Sequence, residues 1–150
     1  NGSANDYVIF NHYGSTLSNA ADAPDWDFSS FAPNIVVVNL GTNDASYCST
    51  QSSIDSFVSE YKRLLSLIRQ QNGSAYILCV LGDVNNSLYP AIERAAEEYK
   101  SETGDTGVKC ATLSFEMGTY GSTIDGHPNK QSNALAAQTL VSELRSLPIG

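Results

Sequence analysis

The stretch "NIVVVNLGTND" (residues 34–44) decides how the chain is read. Within it, "IVVVNL" (35–40) carries five apolar residues in six, three of them consecutive valines. Such β-branched runs pack well on a pleated surface and suit a strand covered on both faces. The run stops abruptly on Gly41-Thr42-Asn43-Asp44. A strand ending this way delivers a turn and hydrogen-bonding side chains to the rim of a sheet. The stretch is therefore expected to be the central buried strand.

Two further runs read as strands of the same kind, "AYILCVLG" (75–82) and "VKCATLSF" (108–115), with a shorter candidate, "YVIF" (7–10). Helices alternate with them. Ile54, Phe57, Val58, Tyr61, Leu64, Leu65 and Ile68 have the spacing of one helical face. Ser52 or Ser53 is the expected cap of that helix and Asn72-Gly73 its stop. A second helix is expected over about 90 to 100, opened by Pro90, with Ile92, Ala95, Ala96 and Tyr99 inward and Gly104 beyond its end. A third is expected over about 131 to 146, with Leu135, Leu140, Val141 and Leu144 apolar and Pro148 following. The order β-β-α-β-α-β-α predicts an α/β fold of three layers, α/β/α, around a doubly wound parallel sheet. No repeat or linker interrupts it, so residues 1–150 read as a single domain.

Composition narrows the partners. Eight Lys and Arg stand against sixteen Asp and Glu, a formal charge of -8, and the first of these cations is Lys62. An acidic surface repels phosphate backbones and anionic bilayers, which argues against nucleic acid and membrane partners. A neutral substrate such as a sugar fits better. Of the three cysteines, Cys79 and Cys110 lie in apolar runs as buried thiols and Cys48 in a loop; their spacing suggests neither a disulfide framework nor a zinc site. The chain begins at Asn1 and its only methionine is Met117, so an upstream segment is expected.

In doubly wound sheets, ligands bind beyond the carboxyl ends of the strands. Asn43 sits there, where a side-chain amide can donate to the oxyanion of an acyl-transfer transition state. Taken alone, Asn43 and Asp44 read more simply as caps of a turn or of the next helix. The segment "EMGTYGSTIDGHPN" (116–129) arrives at the same rim after the third run. It contains His127, one of two histidines, with Asp125 two residues before it and Pro128 restricting its backbone. A histidine held by a carboxylate is the general-base half of a Ser-His-Asp arrangement. A solvated loop histidine is the plainer alternative. His12, the other one, reads as a loop residue.

With these residues in view, the chain resembles the SGNH/GDSL hydrolase superfamily, Gly-Thr-Asn-Asp matching its third sequence block and the terminal His-Pro its fifth. The run "WDFSSFAPNIVVVNLGTND" (26–44) and the Asp-x-His-Pro spacing are similar to the family 2 carbohydrate esterases, which act as acetyl xylan esterases. The resemblance covers most of residues 7–147 and implies a flavodoxin-like fold. It assigns Asn43 to the oxyanion hole and His127 to the catalytic base. Asp125 would orient His127, although its offset departs from the superfamily's usual three residues, and some relatives use a backbone carbonyl instead. The segment "VIFNHYGSTLSNA" (8–20) is similar to the second block, with Gly14 as a backbone oxyanion donor. A tight turn explains Gly14 nearly as well. No metal or organic cofactor is implied.

The first block, Gly-Asp-Ser, supplies the nucleophile and should lie upstream of the second; it occurs nowhere in the chain. Gly82-Asp83-Val84 imitates it at a strand end, but Val84 has no hydroxyl. Ser15 has nothing in the sequence to show a base beside it. Three explanations stand: the nucleophile lies on another segment, the chain is a proteolytic fragment that still folds, or it is a degenerate relative that binds without cleaving. The first two imply an N-terminally truncated sheet that associates with the missing segment or with another copy of the chain. The expected activity is that of a secreted serine esterase removing acetyl groups from plant polysaccharide or hydrolysing small acyl esters, with this chain alone inactive. The competing class is a non-catalytic carbohydrate-binding or interaction domain on the same fold.

Overall fold

The computed structural model describes residues 28–82, 84–113 and 126–149. Strand β1 (Ile35–Asn39), helix α1 (Gln51–Gln71), β2 (Tyr76–Gly82), α2 (Tyr89–Thr103), β3 (Val108–Leu113) and α3 (Lys130–Arg145) follow in that order, with single 3-10 turns at Phe28–Ser30 and Asp44–Ser46. The three strands are parallel in the order β1-β2-β3. The candidate strand at 7–10, the Gly14 segment and residues 114–125, which include Asp125, lie outside the described residues.

Side-chain alternation splits the core into two layers, because successive strand residues face opposite sides. On one side Val38, Ile77, Cys79, Leu81 and Val108 pack against the apolar stripes of α1 and α2. On the other, Leu78, Val80, Ala111 and Leu113 meet Leu135, Ala136, Leu140 and Leu144 of α3. The α/β/α layering and parallel sheet read from the sequence are thus present.

The expectation of a buried first strand is corrected: of its five residues only Val38 is buried. Among the described residues β1 is an edge, and Val37 is 40% exposed. The face bearing Val37 is the one that α3 covers, and α3 reaches only as far as β2 and β3. A run of valines reports the propensity for a strand, while its coverage depends on what packs beside it. Cys110, expected to be buried, is only partly so.

Local signals explain the helix ends. The cap of α1 is Thr50, not Ser52 or Ser53. Its hydroxyl accepts from the Ser53 N–H at 3.2 Å while the Ser53 hydroxyl accepts from the Thr50 N–H at 3.0 Å. This is a capping box with serine in the usual Glu/Gln place. Asn72 ends α1 as expected, its N–H on the Ile68 carbonyl at 2.9 Å. Gly104 ends α2 at φ +72°, a left-handed conformation that costs glycine little. Between α1 and α2, Lys62 bridges Glu98 and Glu102, and Arg94 bridges Asp55 and Glu98. These exposed pairs set the register of the two helices more than they stabilise them.

Candidate functional site

Of the residues singled out in the sequence, Asn43 and His127 lie among the described residues. Leaving β1, the chain turns at Gly41, where φ is +131°. Gly41 is buried, and a Cβ there would meet Ile92, Leu81 and Phe57 side chains at 3.4 to 3.5 Å. The conformation, more than the space, demands glycine. The turn is then locked by backbone bonds: Ala45 N–H to Gly41 at 3.1 Å, Ser46 N–H to Asn43 at 3.2 Å and Tyr47 N–H to Asp44 at 2.9 Å.

Asn43 occupies the cap position of the short 3-10 turn, yet its side chain makes no capping hydrogen bond and is exposed. The simple capping role does not describe its amide. Asp44 behaves oppositely: it is 5% exposed, and its backbone carbonyl accepts from Tyr47 and Cys48. Nearby, burial pushes the Cys48 thiol above its ordinary range, and the negative charge of Asp44 adds to the shift. Two neighbours of similar chemistry, Asn43 and Asp44, are thus separated into an outward donor and an inward acid. Sequence reasoning weighed Asp44 only as a cap and missed its burial.

His127 reaches the same rim from the other side of the sheet. Lys109, near the start of β3, donates to Glu143 and to Ser146 at the end of α3, each at 2.8 Å. Helix α3 therefore runs back along β3, and its first residues lie at the carboxyl end. His127 is exposed and follows Gly126, whose φ is +82°. The backbone just after His127 is anchored. The Asn129 side chain accepts from Gln131 and Ser132 N–H groups, both at 2.9 Å, and caps α3. Asn133 returns two bonds, to the carbonyls of Pro128 and Asn129, both at 3.0 Å. Asn129 was missed as a positioning residue, though a cap-type residue directly before a helix is a legible signal.

β1 and β3 lie two strand spacings apart, roughly 10 Å. Asp125 and Gly14 fall outside the described residues, so the geometry relates only Asn43 and His127. Among the described residues no group of three or more His, Cys, Asp or Glu side chains is arranged to hold a metal ion.

Comparison with known proteins bears on the family and the fold. The family described as GDSL-like Lipase/Acylhydrolase matches residues 3–140. A cellulase/esterase, CelE, of Acetivibrio thermocellus is 30% identical over 128 residues, covering 81% of this chain and 15% of that protein. An acetylxylan esterase / glucomannan deacetylase of Cellvibrio japonicus is 25% identical over 148 residues, covering 98% of this chain and 40% of the relative. A solved family two carbohydrate esterase from Clostridium thermocellum, in complex with cellohexaose, superposes with a TM-score of 0.77 at 29% identity, over 91% of this chain and 42% of that one. The chain thus spans less than half the length of each of these relatives.

Proposed function

The chain belongs to the GDSL-like lipase/acylhydrolase family, and on that premise we propose that it forms part of a serine esterase that removes acetyl groups from carbohydrate. The nucleophilic serine comes from a segment outside this chain. Residues 1–150 make up the larger share of one hydrolase domain that the segment completes, and the whole acts outside the cell. The side of β1 that is an edge among the described residues is where further strands of the domain would add to the sheet.

In this reading the serine hydroxyl attacks the acetyl carbonyl as His127 takes its proton. Asn43, together with the Gly14 N–H, donates to the oxyanion of the tetrahedral intermediate. His127 then protonates the departing sugar oxygen, leaving an acetyl-serine. Water attacks that ester, His127 again taking the proton, and acetate leaves as the serine recovers it. Asp125 or a backbone carbonyl holds the imidazole in the required tautomer.

The observation that supports the proposal is the placement of exposed Asn43 on the turn leaving the carboxyl end of β1 and of exposed His127 just before α3, in a chain that matches the family over residues 3–140. The activities of the named relatives supply the acyl group and the sugar. The test uses the parent protein with its upstream segment, assayed on para-nitrophenyl acetate and on acetylated xylan. His127→Ala should lower kcat by about 10³-fold or more, and Asn43→Ala by roughly 10²-fold to 10³-fold. The isolated chain should show no turnover. Unchanged activity in the His127 variant, or robust turnover by the chain alone, would defeat the proposal. A parent that binds acetylated xylan without cleaving it would instead identify a binding module.

A further inference from the structure

Two nucleophilic groups of the core have no part in the reaction above. Cys79 lies in the middle of β2 and Cys110 in β3, and the sheet register sets them directly opposite one another. Both face the layer of α1 and α2: Cys79 is fully buried there and Cys110 packs against the same cluster. Neighbouring strands are about 4.8 Å apart, inside the roughly 4.4 to 6.8 Å between Cα atoms that a disulfide spans. Their Cβ atoms leave the sheet on one side, so the sulfurs do not point apart. We propose that Cys79 and Cys110 are a redox-active pair that closes into a disulfide between β2 and β3 when the folded chain meets a low-molecular-weight disulfide.

The two thiols are not equivalent. Cys79 is sealed beneath the helices, where the hydroxyl of buried Tyr61 adjoins it. Cys110 lines a surface groove of about 290 Å³ with Glu93, Glu97, Lys100 and Lys109. The Cys79 thiol, directed at Cys110, holds the pKa of Cys110 below the ordinary thiol value, against the opposing effects of burial, Glu93 and Glu97; Lys100 assists. Cys79 is held well above that value by Cys110 and by its own burial. Attack begins at Cys110, the one of the two sulfurs that a reagent in the groove can reach, and its thiolate is the nucleophile.

The Cys110 thiolate displaces one half of the small disulfide, forming a mixed disulfide and releasing one thiolate. Cys79 then gives up its proton and attacks the Cys110 sulfur, expelling the second half as a thiol. In sum, two protein thiols lose two electrons and two protons, and the reagent is reduced to two thiols. Cys48 stands apart at the start of α1, its thiol donating to the Ser53 carbonyl at 3.7 Å, and takes no part.

The test is incubation of the native chain with oxidised glutathione, followed by alkylation, peptide mapping and intact mass. The wild-type chain should become lighter by two hydrogens and keep one alkylatable thiol, Cys48, with the change reversed by a dithiol reductant. Cys79→Ala should accumulate a single glutathionyl group on Cys110. Cys110→Ala should keep Cys48 and Cys79 free under the same conditions. The wild-type measurement decides by itself if either variant folds poorly. A stable glutathione adduct on wild-type Cys110, a bridge mapped to Cys48, or three alkylatable thiols after oxidation would each overturn the proposal.

Discussion

The two ends of the sheet are built on opposite plans. At the amino end, one guanidinium ties three segments together. Arg69 of α1 donates to Asp105 through Nε at 2.8 Å and Nη2 at 3.1 Å, and to the carbonyls of Asn72, Gly73 and Ala75 at 3.2, 3.0 and 2.7 Å. Asp105 also accepts from the Gly107 N–H at 2.8 Å, just before β3. The helix end, the start of β2 and the approach to β3 are thereby fixed, and each polar group answers another inside the protein. At the carboxyl end, Asn43 and His127 are exposed, the turn of Asn43 held by backbone bonds and the segment after His127 by the side chains of Asn129 and Asn133. One end is tied by a single, partly buried guanidinium, and the other presents exposed side chains.

That contrast can be broken in order of effect. The largest separation is predicted for His127→Ala in the parent protein. It should lose about 10³-fold or more in kcat, about 4 kcal/mol of transition-state stabilisation, while its unfolding free energy changes by no more than an ordinary surface substitution's, about 0.5 kcal/mol. Arg69→Ala should do the reverse. The Arg69 and Asp105 side chains are only 21% and 14% exposed, so removing the cation leaves a largely buried carboxylate and should cost about 3 kcal/mol, or roughly 10 °C in Tm. A calorimetric scan showing no loss would mean that the clamp is ornamental.

Gly41→Ala mixes the two ends' behaviours. The substitution forces a Cβ onto a backbone at φ +131° and should cost about 2 kcal/mol of strain. Because Asn43 rides on that turn, turnover should fall as well; a stability loss without a rate loss would uncouple the turn from the site. Thr50→Ala, which removes the hydroxyl of the α1 capping box, should cost about 1 kcal/mol in urea unfolding and leave turnover alone.

The smallest effect is in pH. Burial alone would raise the Asp105 carboxyl, but the Arg69 guanidinium and the Gly107 N–H outweigh it and hold the group below its ordinary value. The folded pKa is therefore depressed. The stabilisation is fully present above the unfolded value of about 3.9 and is lost as pH falls through the folded pKa. Urea midpoints measured downward from pH 5 should fall more steeply for the wild-type chain than for Asp105→Asn. Parallel curves would remove Asp105 from the account.

Much of this plan was legible in advance, for stated reasons. The apolar stripes of α1 and α2 come from neighbours three and four residues apart, so the helices and their inward residues Phe57, Tyr61, Leu64, Ile92 and Tyr99 could be read directly. The glycine stop at Gly104 is likewise a local signal. The Arg69–Asp105 clamp spans 36 residues, and nothing local to either residue announces the other. Asn43 and Asp44 are neighbours of similar chemistry, so the sequence offered no means to tell which turns outward.

The sequence by itself determined the alternation of strands and helices, the glycine at the turn and the residue types able to do acyl-transfer chemistry, because each depends on backbone preference and short-range spacing. Only the tertiary structure decided that Val37 is exposed, that Asp44 is buried while Asn43 is not, and that Cys79 faces Cys110. Burial, pairing and register depend on which distant segments share a face, and chain folding alone brings those segments together.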